Sequence, residues 1–487
     1  MSESGTPTHY STVEIRFVAL FINNNIFFVD IFEIMRYGDI SRLKTKICFY
    51  IIMVPMSIQI LLIIILAYII IIGTVNDKLF HIQSDIALVL FSSLLSFILL
   101  LINAFIPLEP VKSIIVSLGD FGFREYLMDG MLCFMLFAGA SKVNMGKFRA
   151  NLRPICLLAF LSTVISSFFY GGLLYLAALA FRLPMDFWTC VLLGCVVSPT
   201  DPIAATGILN KIGLSKNVCS VIENESLFND GTGVTLFIFV RSLITHTGDS
   251  NVAVLLAKEI LGAAAVALVA SFISFQLVKI SRNPIRNILI AVLNVFFVYV
   301  VCEHLGFSGV LASVVCGLYF SYRMDKIHRV QTVIDPQDYY ENFWEILEGI
   351  LNSALFVMIG FVVLGTSLSS YAAIVIPVAI LALIISRAGG VTISTVLTGH
   401  SIPGNYNLFE FVMLMTWSAL KGGLTLALAL ETSEYLPQSV YEIFMNIAFV
   451  TIFFTVLVQG LTVKKVYNGL EKHKAKRLCH IAGGNDK

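Results

Sequence analysis

Two aspartates stand in the middle of apolar runs, surrounded by residue types that bind a small cation or a proton. The first run, VLLGCVVSPTDPIAATGIL from Val191 to Leu209, carries Asp201 between Pro199 and Pro202. Proline removes a backbone donor and disfavours helix in the residue before it, so a helix through this stretch must break. The carbonyls around Val197 to Thr200 then lose their intrahelical partners. At membrane depth such carbonyls are tolerated only inside protein or along a watery cavity, and they suit a hard monovalent cation. The inert alternative is a proline-kinked helix whose Asp201 only caps its second half.

The next run, VCSVIENESLFNDGTGVTLFIFV from Val218, places Glu223, Glu225, Asn229 and Asp230 within eight residues. At about 100° per residue, Ser226 and Asp230 share one helix face with Asn229 beside them, while Glu225 lies on another. Two carboxylates on two faces imply two tasks. Asp230 meets the break at Asp201 and binds a cation or a proton, whereas Glu225 needs a permanent positive partner to stay buried. Arg387, deep in ALIISRAGG, is the candidate partner. The alternative is one static polar network that fixes helix packing.

Lys421 lies in WSALKGGLTLALAL, followed by Gly422 and Gly423. A second unwound helix fits there, with the ammonium balancing a carboxylate or the C-terminal dipole of a half-helix; a plain packing glycine pair fits equally. Asp129 and Glu410 fall near span ends, where snorkelling or capping is expected. The triplet Asn224, Glu225, Ser226 matches a glycosylation sequon but sits inside a span, out of reach of glycosylation.

These groups need a membrane scaffold, and the composition supplies one. The chain is 57% hydrophobic and 13% charged over 487 residues, against roughly a quarter charged in a soluble domain. Lys plus Arg (32) balances Asp plus Glu (31), leaving no basic excess for nucleic acid. The nine cysteines form no CxxC pair and read as small packing residues. A phosphate loop, an HExxH helix and a Cys/His ligand cluster are all missing from the sequence, so an enzyme, a bound cofactor and ATP-driven pumping are not expected.

Apolar runs of spanning length recur at 48–73, 86–107, 111–122 (broken by Pro110, Lys112 and Asp120), 126–141, 154–181, 187–209, 217–245, 252–279, 284–303, 307–322, 346–366, 371–394, 407–432 and 441–463. None alternates like a barrel strand, so the expected fold is an all-α integral membrane protein with about 13–14 transmembrane helices. An N-terminal cytoplasmic or interfacial segment (1–47, with 17–34 lying along the surface) precedes one transmembrane domain (48–463) and a short basic tail (464–487). No signal peptide is expected at residues 1–47. Basic clusters at Arg42–Lys46, Lys142–Arg153, Lys211–Lys216, Lys279–Arg286, Arg323–Arg329 and Lys464–Arg477 all fall on one side, which places both termini in the cytoplasm when 111–122 counts as a span.

SPTDPIA at 198–204 and ENESLFNDGTGV at 223–234 resemble the two ion-site motifs of the monovalent cation/proton antiporters, the NhaP-type sodium/proton exchangers. SGVLASVVCGL from Ser308, FWEILEGILNSALFVMIG from Phe343, Arg387 and VLVQGLTV from Val456 agree, and the resemblance covers roughly residues 120–465. It implies an inverted-repeat fold whose broken helices cross near the midplane, divided into a dimerisation and a mobile core domain, and hence a homodimer. It implies Asp230, Asp201, Thr200, Ser226 and Asn229 as ion-binding residues, with Na⁺, or Li⁺ or K⁺, held by Asp230, Ser226 and Thr200. Glu225 and Arg387 take the place of the family's buried ion pair. The Asn229–Asp230 pair is the form associated with electroneutral exchange.

Two departures bear on pH regulation and ion preference. Ala138 stands where the family commonly has an acidic residue, and Lys421 where many members have arginine. The expected function is therefore exchange of a monovalent cation for H⁺ by competition at Asp230 with alternating access, in a bacterial cell membrane and serving pH homeostasis. The short tail favours such a simple exchanger. A cation channel, a transport-inactive membrane sensor and an organic-solute transporter are the rival readings, distinguished by single-channel current, absence of flux and substrate-dependent proton movement.

Overall fold

The computed structural model describes residues 58–106, 130–201, 213–245, 252–281, 283–324, 336–365, 369, 371–399 and 402–483. Segments 17–34 and 111–122, Asp129 and Pro202 lie outside them.

In chain order the helices are α1 Ile58–Val75, α2 Ser84–Phe105, α3 Leu132–Ser141, α4 Met145–Ala150, α5 Leu152–Phe181, α6 Phe187–Val197, α7 Lys216–Ile244 and α8 Val252–Ile280. There follow α9 Pro284–His304, α10 Gly309–Met324, α11 Pro336–Val362, α12 Ala372–Leu397, α13 Leu408–Trp417, α14 Gly423–Glu431, α15 Gln438–Phe453 and α16 Gly460–Gly483. Among the described residues nine helices are long and apolar enough to cross a membrane, and α3, α6, α10 and α13 are shorter apolar ones. The chain is an all-α integral membrane protein. Helices serve here because lipid offers no partner for a free backbone donor or acceptor.

Several boundaries differ from those of the apolar runs, two of them on helices that reach the second break. The run 407–432 is divided between α13 and α14, with residues 418–422 outside helix. The run 346–366 belongs to a helix that starts ten residues earlier, at Pro336, because Asp338, Glu341 and Glu345 make its first turns polar without stopping them.

The helices pack as two sets. In one, α10 lies against α3 and α8, and α11 against α2. In the other, α5 lies against α6 and α12, α6 against α7, and α12 against α13. The sets meet where α7 touches α10 and where α11 touches α14. Close approach inside the second set depends on Gly194 of α6, where a Cβ would stand 2.1 Å from the Ser167 carbonyl oxygen. Apolar side chains on the outer faces of α1, α8 and α9, among them Ile70, Leu261, Phe272 and Leu293, are exposed, as surfaces that face lipid must be.

The basic C-terminal helix α16 grips both ends of α13. Asn407 and Glu410 form a capping box at the start of α13. The fully buried Glu410 carboxylate also receives Arg477 Nη2 at 3.0 Å and lies 2.8 Å from His473 Nδ1. Trp417, at the other end, donates its indole N–H to Thr462 Oγ1 at 2.9 Å. The helix that leads into the second break is thus held at both ends by α16.

Candidate functional site

The first broken helix begins cleanly: Asp186 caps α6 by accepting from the Thr189 N–H at 3.0 Å. It ends at Val197, and Ser198 to Asp201 run on without helix. The groups set free are taken up by the second break. Lys421 Nζ donates to the Ser198 oxygen at 2.9 Å and to the Pro199 oxygen at 3.0 Å. The Asp201 N–H donates to the Leu420 oxygen at 2.8 Å, and the Lys421 N–H to Thr455 Oγ1 at 3.1 Å. The expectation that the carbonyls around Val197 to Thr200 stand ready for a cation is corrected at two of them, because an ammonium already occupies the Ser198 and Pro199 oxygens. Of the two roles open to Lys421, it takes the C-terminal end of a half-helix.

The second break is complementary. Helix α14 starts at Gly423 from an extended Gly422, where a Cβ would lie 2.9 Å from Asp201 Oδ2. Any larger residue would press on that carboxylate. A Cβ on Gly423 would lie 2.1 Å from Leu355 Cδ1 of α11. The negative end of α6 therefore meets the Lys421 ammonium, while the positive end of α14 meets the Asp201 carboxylate.

Helix α7, capped by Ser215 on the Val218 N–H, supplies the third wall. Asn229, fully buried, accepts from the Thr200 N–H at 3.1 Å and donates to Thr200 Oγ1 at 2.6 Å and Glu225 Oε1 at 3.0 Å. Thr200 Oγ1 lies 2.9 Å from Ser226 Oγ. Arg387 of α12 grips Glu225 with both terminal nitrogens at 3.0 Å each. Asn229 thus ties the first break to this buried pair. Asp230 is half-buried, packed against the Thr200 backbone and electrostatically coupled to Asp201, Lys421 and Glu225. Two carboxylates near each other in a low-dielectric interior disfavour one another's charge.

The structure brings Asp201, Thr200, Ser226, Asn229, Asp230, Glu225, Arg387 and Lys421 into one cluster. Glu223 stays exposed outside it, and Glu410 belongs to the α16 contact. Sequence reasoning did not single out Thr455, which holds the Lys421 backbone, nor Thr416 and Gln459, which line a cavity with Arg387 and Lys421. It also passed over Asn352 of α11, 2% exposed, whose amide oxygen and nitrogen find no partner among the described residues. Each is a polar residue inside an apolar run, and that was the available signal.

Residues 45–469 match the pattern of the sodium/hydrogen exchanger family, transmembrane. The Na⁺/H⁺ antiporter NhaP of Pseudomonas aeruginosa is 30% identical over 376 residues, covering 72% of this chain and 84% of that one. The Na⁺/H⁺ antiporter NhaG of Bacillus atrophaeus is 28% identical over 372 residues, covering 75% and 67%. In fold, the sodium proton antiporter MjNhaP1 from Methanocaldococcus jannaschii superposes with a TM-score of 0.66 at 19% identity, over 85% of this chain and 98% of that one.

Proposed function

Because this chain belongs to the sodium/hydrogen exchanger family, we propose that it exchanges a monovalent cation, Na⁺ foremost, for H⁺ by competition at Asp230. The observation that carries this reading is the charge balance of the cluster. Three carboxylates, Asp201, Asp230 and Glu225, share the cluster with two basic side chains, Arg387 and Lys421, and with both of these protonated the count is three against two. Arg387 is committed to Glu225 and Lys421 to the end of α6. One negative charge is left over, and one proton or one monovalent cation neutralises it equally well.

Three consequences follow within this reading. Cation and proton exclude each other, because the cluster has one charge to offer. Exchange is one for one and electroneutral, because both loaded forms carry the same net charge. Movement across the membrane is confined to loaded forms, since an unneutralised carboxylate at membrane depth costs at least about 2.5 kcal/mol. Alternating access then comes from rigid movement of the set around α5, α6, α7 and α12–α15 against the set around α2, α3 and α8–α11. The cation's ligands are Asp230, Asp201, Ser226 and Thr200, with Asn229 and the Glu225–Arg387 pair holding them. Both termini face the cytoplasm of a bacterial cell, and the exposed apolar faces of α8 and α9 suit a homodimer as well as lipid. Within residues 48–463 all of this is one transmembrane unit. A channel reading is disfavoured by Lys421, which occupies two of the carbonyls a filter would use.

Purified protein in proteoliposomes, with an internal pH-sensitive dye and Na⁺, K⁺ and Li⁺ added in turn, tests the proposal. Na⁺-driven proton efflux is expected, insensitive to a clamped membrane potential, and absent in a folded Asp230→Asn variant. Retained flux in that variant overturns the assignment of Asp230.

A further inference from the structure

Behind the second break, between α12, α13 and the turn that precedes α16, lies a cavity with room of about 10 Å³ for the centre of a water-sized sphere. That is close to the room of one water molecule. Leu383 and Ala419 are among its apolar walls; its polar lining is Arg387, Thr416, Lys421 and Gln459. All four are deeply buried, with exposures of 6%, 4%, 3% and 2%. Three of their atoms, Arg387 Nε, Thr416 Oγ1 and Gln459 Oε1, find no hydrogen-bond partner among the described residues.

The unused valences are complementary. Arg387 spends its two terminal nitrogens on Glu225 and keeps the Nε–H. Lys421 spends two of its three ammonium protons on the Ser198 and Pro199 oxygens and keeps one. Two donors therefore line the same small space as two acceptors, Gln459 Oε1 and Thr416 Oγ1. A water molecule has the matching set of two acceptor and two donor sites. A halide ion would accept from the two cationic groups but leave the Gln459 oxygen facing a negative charge. We infer that this cavity is a binding site for one water molecule, through which Gln459 positions Lys421 on the end of α6.

The water accepts from Arg387 Nε–H and from the Lys421 ammonium, and donates to Gln459 Oε1 and Thr416 Oγ1. Its dipole relieves the repulsion between two like charges that line one cavity. It also ties α12, which carries the fixed Glu225–Arg387 pair, to the residue that joins the two breaks. Lys421 is electrostatically coupled to Asp230, so loss of its anchorage reaches the proposed ion site without touching it. Gln459 is accordingly a positioning residue. The water site itself stands independently of the exchange reading, whereas its effect on transport rests on it.

A high-resolution map of the full chain in lipid nanodiscs tests the site directly. Density is expected within about 2.7–3.2 Å of all four polar atoms, and it is expected to disappear in Lys421→Arg, whose larger guanidinium fills the space. No density in the wild-type protein overturns the proposal. So does an anomalous peak there in bromide-soaked crystals, which makes it an anion site. In proteoliposomes Gln459→Leu is expected to raise the KM for Na⁺ about three- to tenfold, the loss of one hydrogen bond, with kcat within about twofold. Gln459→Asn, which keeps an uncharged amide oxygen as acceptor, is expected to recover part of the KM. An unchanged KM in Gln459→Leu while the wild type shows the density overturns the positioning role. Absence of exchange in the wild type would instead overturn the exchange reading and leave the density result standing.

Discussion

The two breaks in the membrane helices are opened by different means and leave opposite groups free. The break after α6 is made by proline, which forbids the helix whatever surrounds it, and it leaves carbonyl oxygens. The break between α13 and α14 contains no proline; residues 418–422 read Ser-Ala-Leu-Lys-Gly. A single glycine costs a helix only about 1 kcal/mol, too little to unwind it alone. What unwinds it is the first break: the Leu420 oxygen is needed by the Asp201 N–H, and the Lys421 ammonium by the Ser198 and Pro199 oxygens. The first break is autonomous and the second is conditional on it.

That asymmetry can be broken experimentally. The largest effect is expected outside both breaks, where Glu225→Ala strands the Arg387 charge in the core. A loss of about 3–5 kcal/mol should appear as a sharply lower thermal midpoint in detergent. Lys421→Met removes the clasp and orphans two buried carbonyls at about 1–3 kcal/mol each. Together that is about 2–6 kcal/mol, so the midpoint should fall by an amount comparable to that of Glu225→Ala, and Na⁺-driven proton flux should be lost. A midpoint equal to wild type would show that the second break does not depend on the first.

The proposed competition at Asp230 has a pH test with a definite sign. As the pH falls through the range in which that carboxyl binds its proton, the apparent KM for Na⁺ should rise, approaching tenfold per pH unit in the acid limit. A KM flat across the active range in a flux titration would remove the competition. Gly422→Ala, which pushes a methyl to 2.9 Å from Asp201 Oδ2, should raise the KM severalfold with little change in midpoint. Smallest of all, Pro199→Ala should cost no more than about 1 kcal/mol of stability, because Pro202 still forbids a continuous helix through Asp201. A large loss there would mean that Pro199 alone makes the first break.

The sequence by itself determined a good deal. An apolar fraction of 57% with recurring spans dictates helices in lipid. Pro199 and Pro202 dictate a break at Asp201, and a helical repeat puts Ser226 beside Asp230. All of these are local properties of chain chemistry or statements about the solvent. That Glu225 needs a positive partner also follows from burial alone.

Tertiary structure decided the rest. Lys421 sits on Ser198 and Pro199, more than two hundred residues away in sequence. Asn229 bridges Thr200 to Glu225, and α14 starts where Asp201 needs its positive end. A backbone carbonyl has no residue type, so no pattern of residues announces which ammonium will cap it. The two aspartates were legible because a charge in an apolar run is conspicuous; the partners that Lys421 and Arg387 take around them exist only once the two breaks meet.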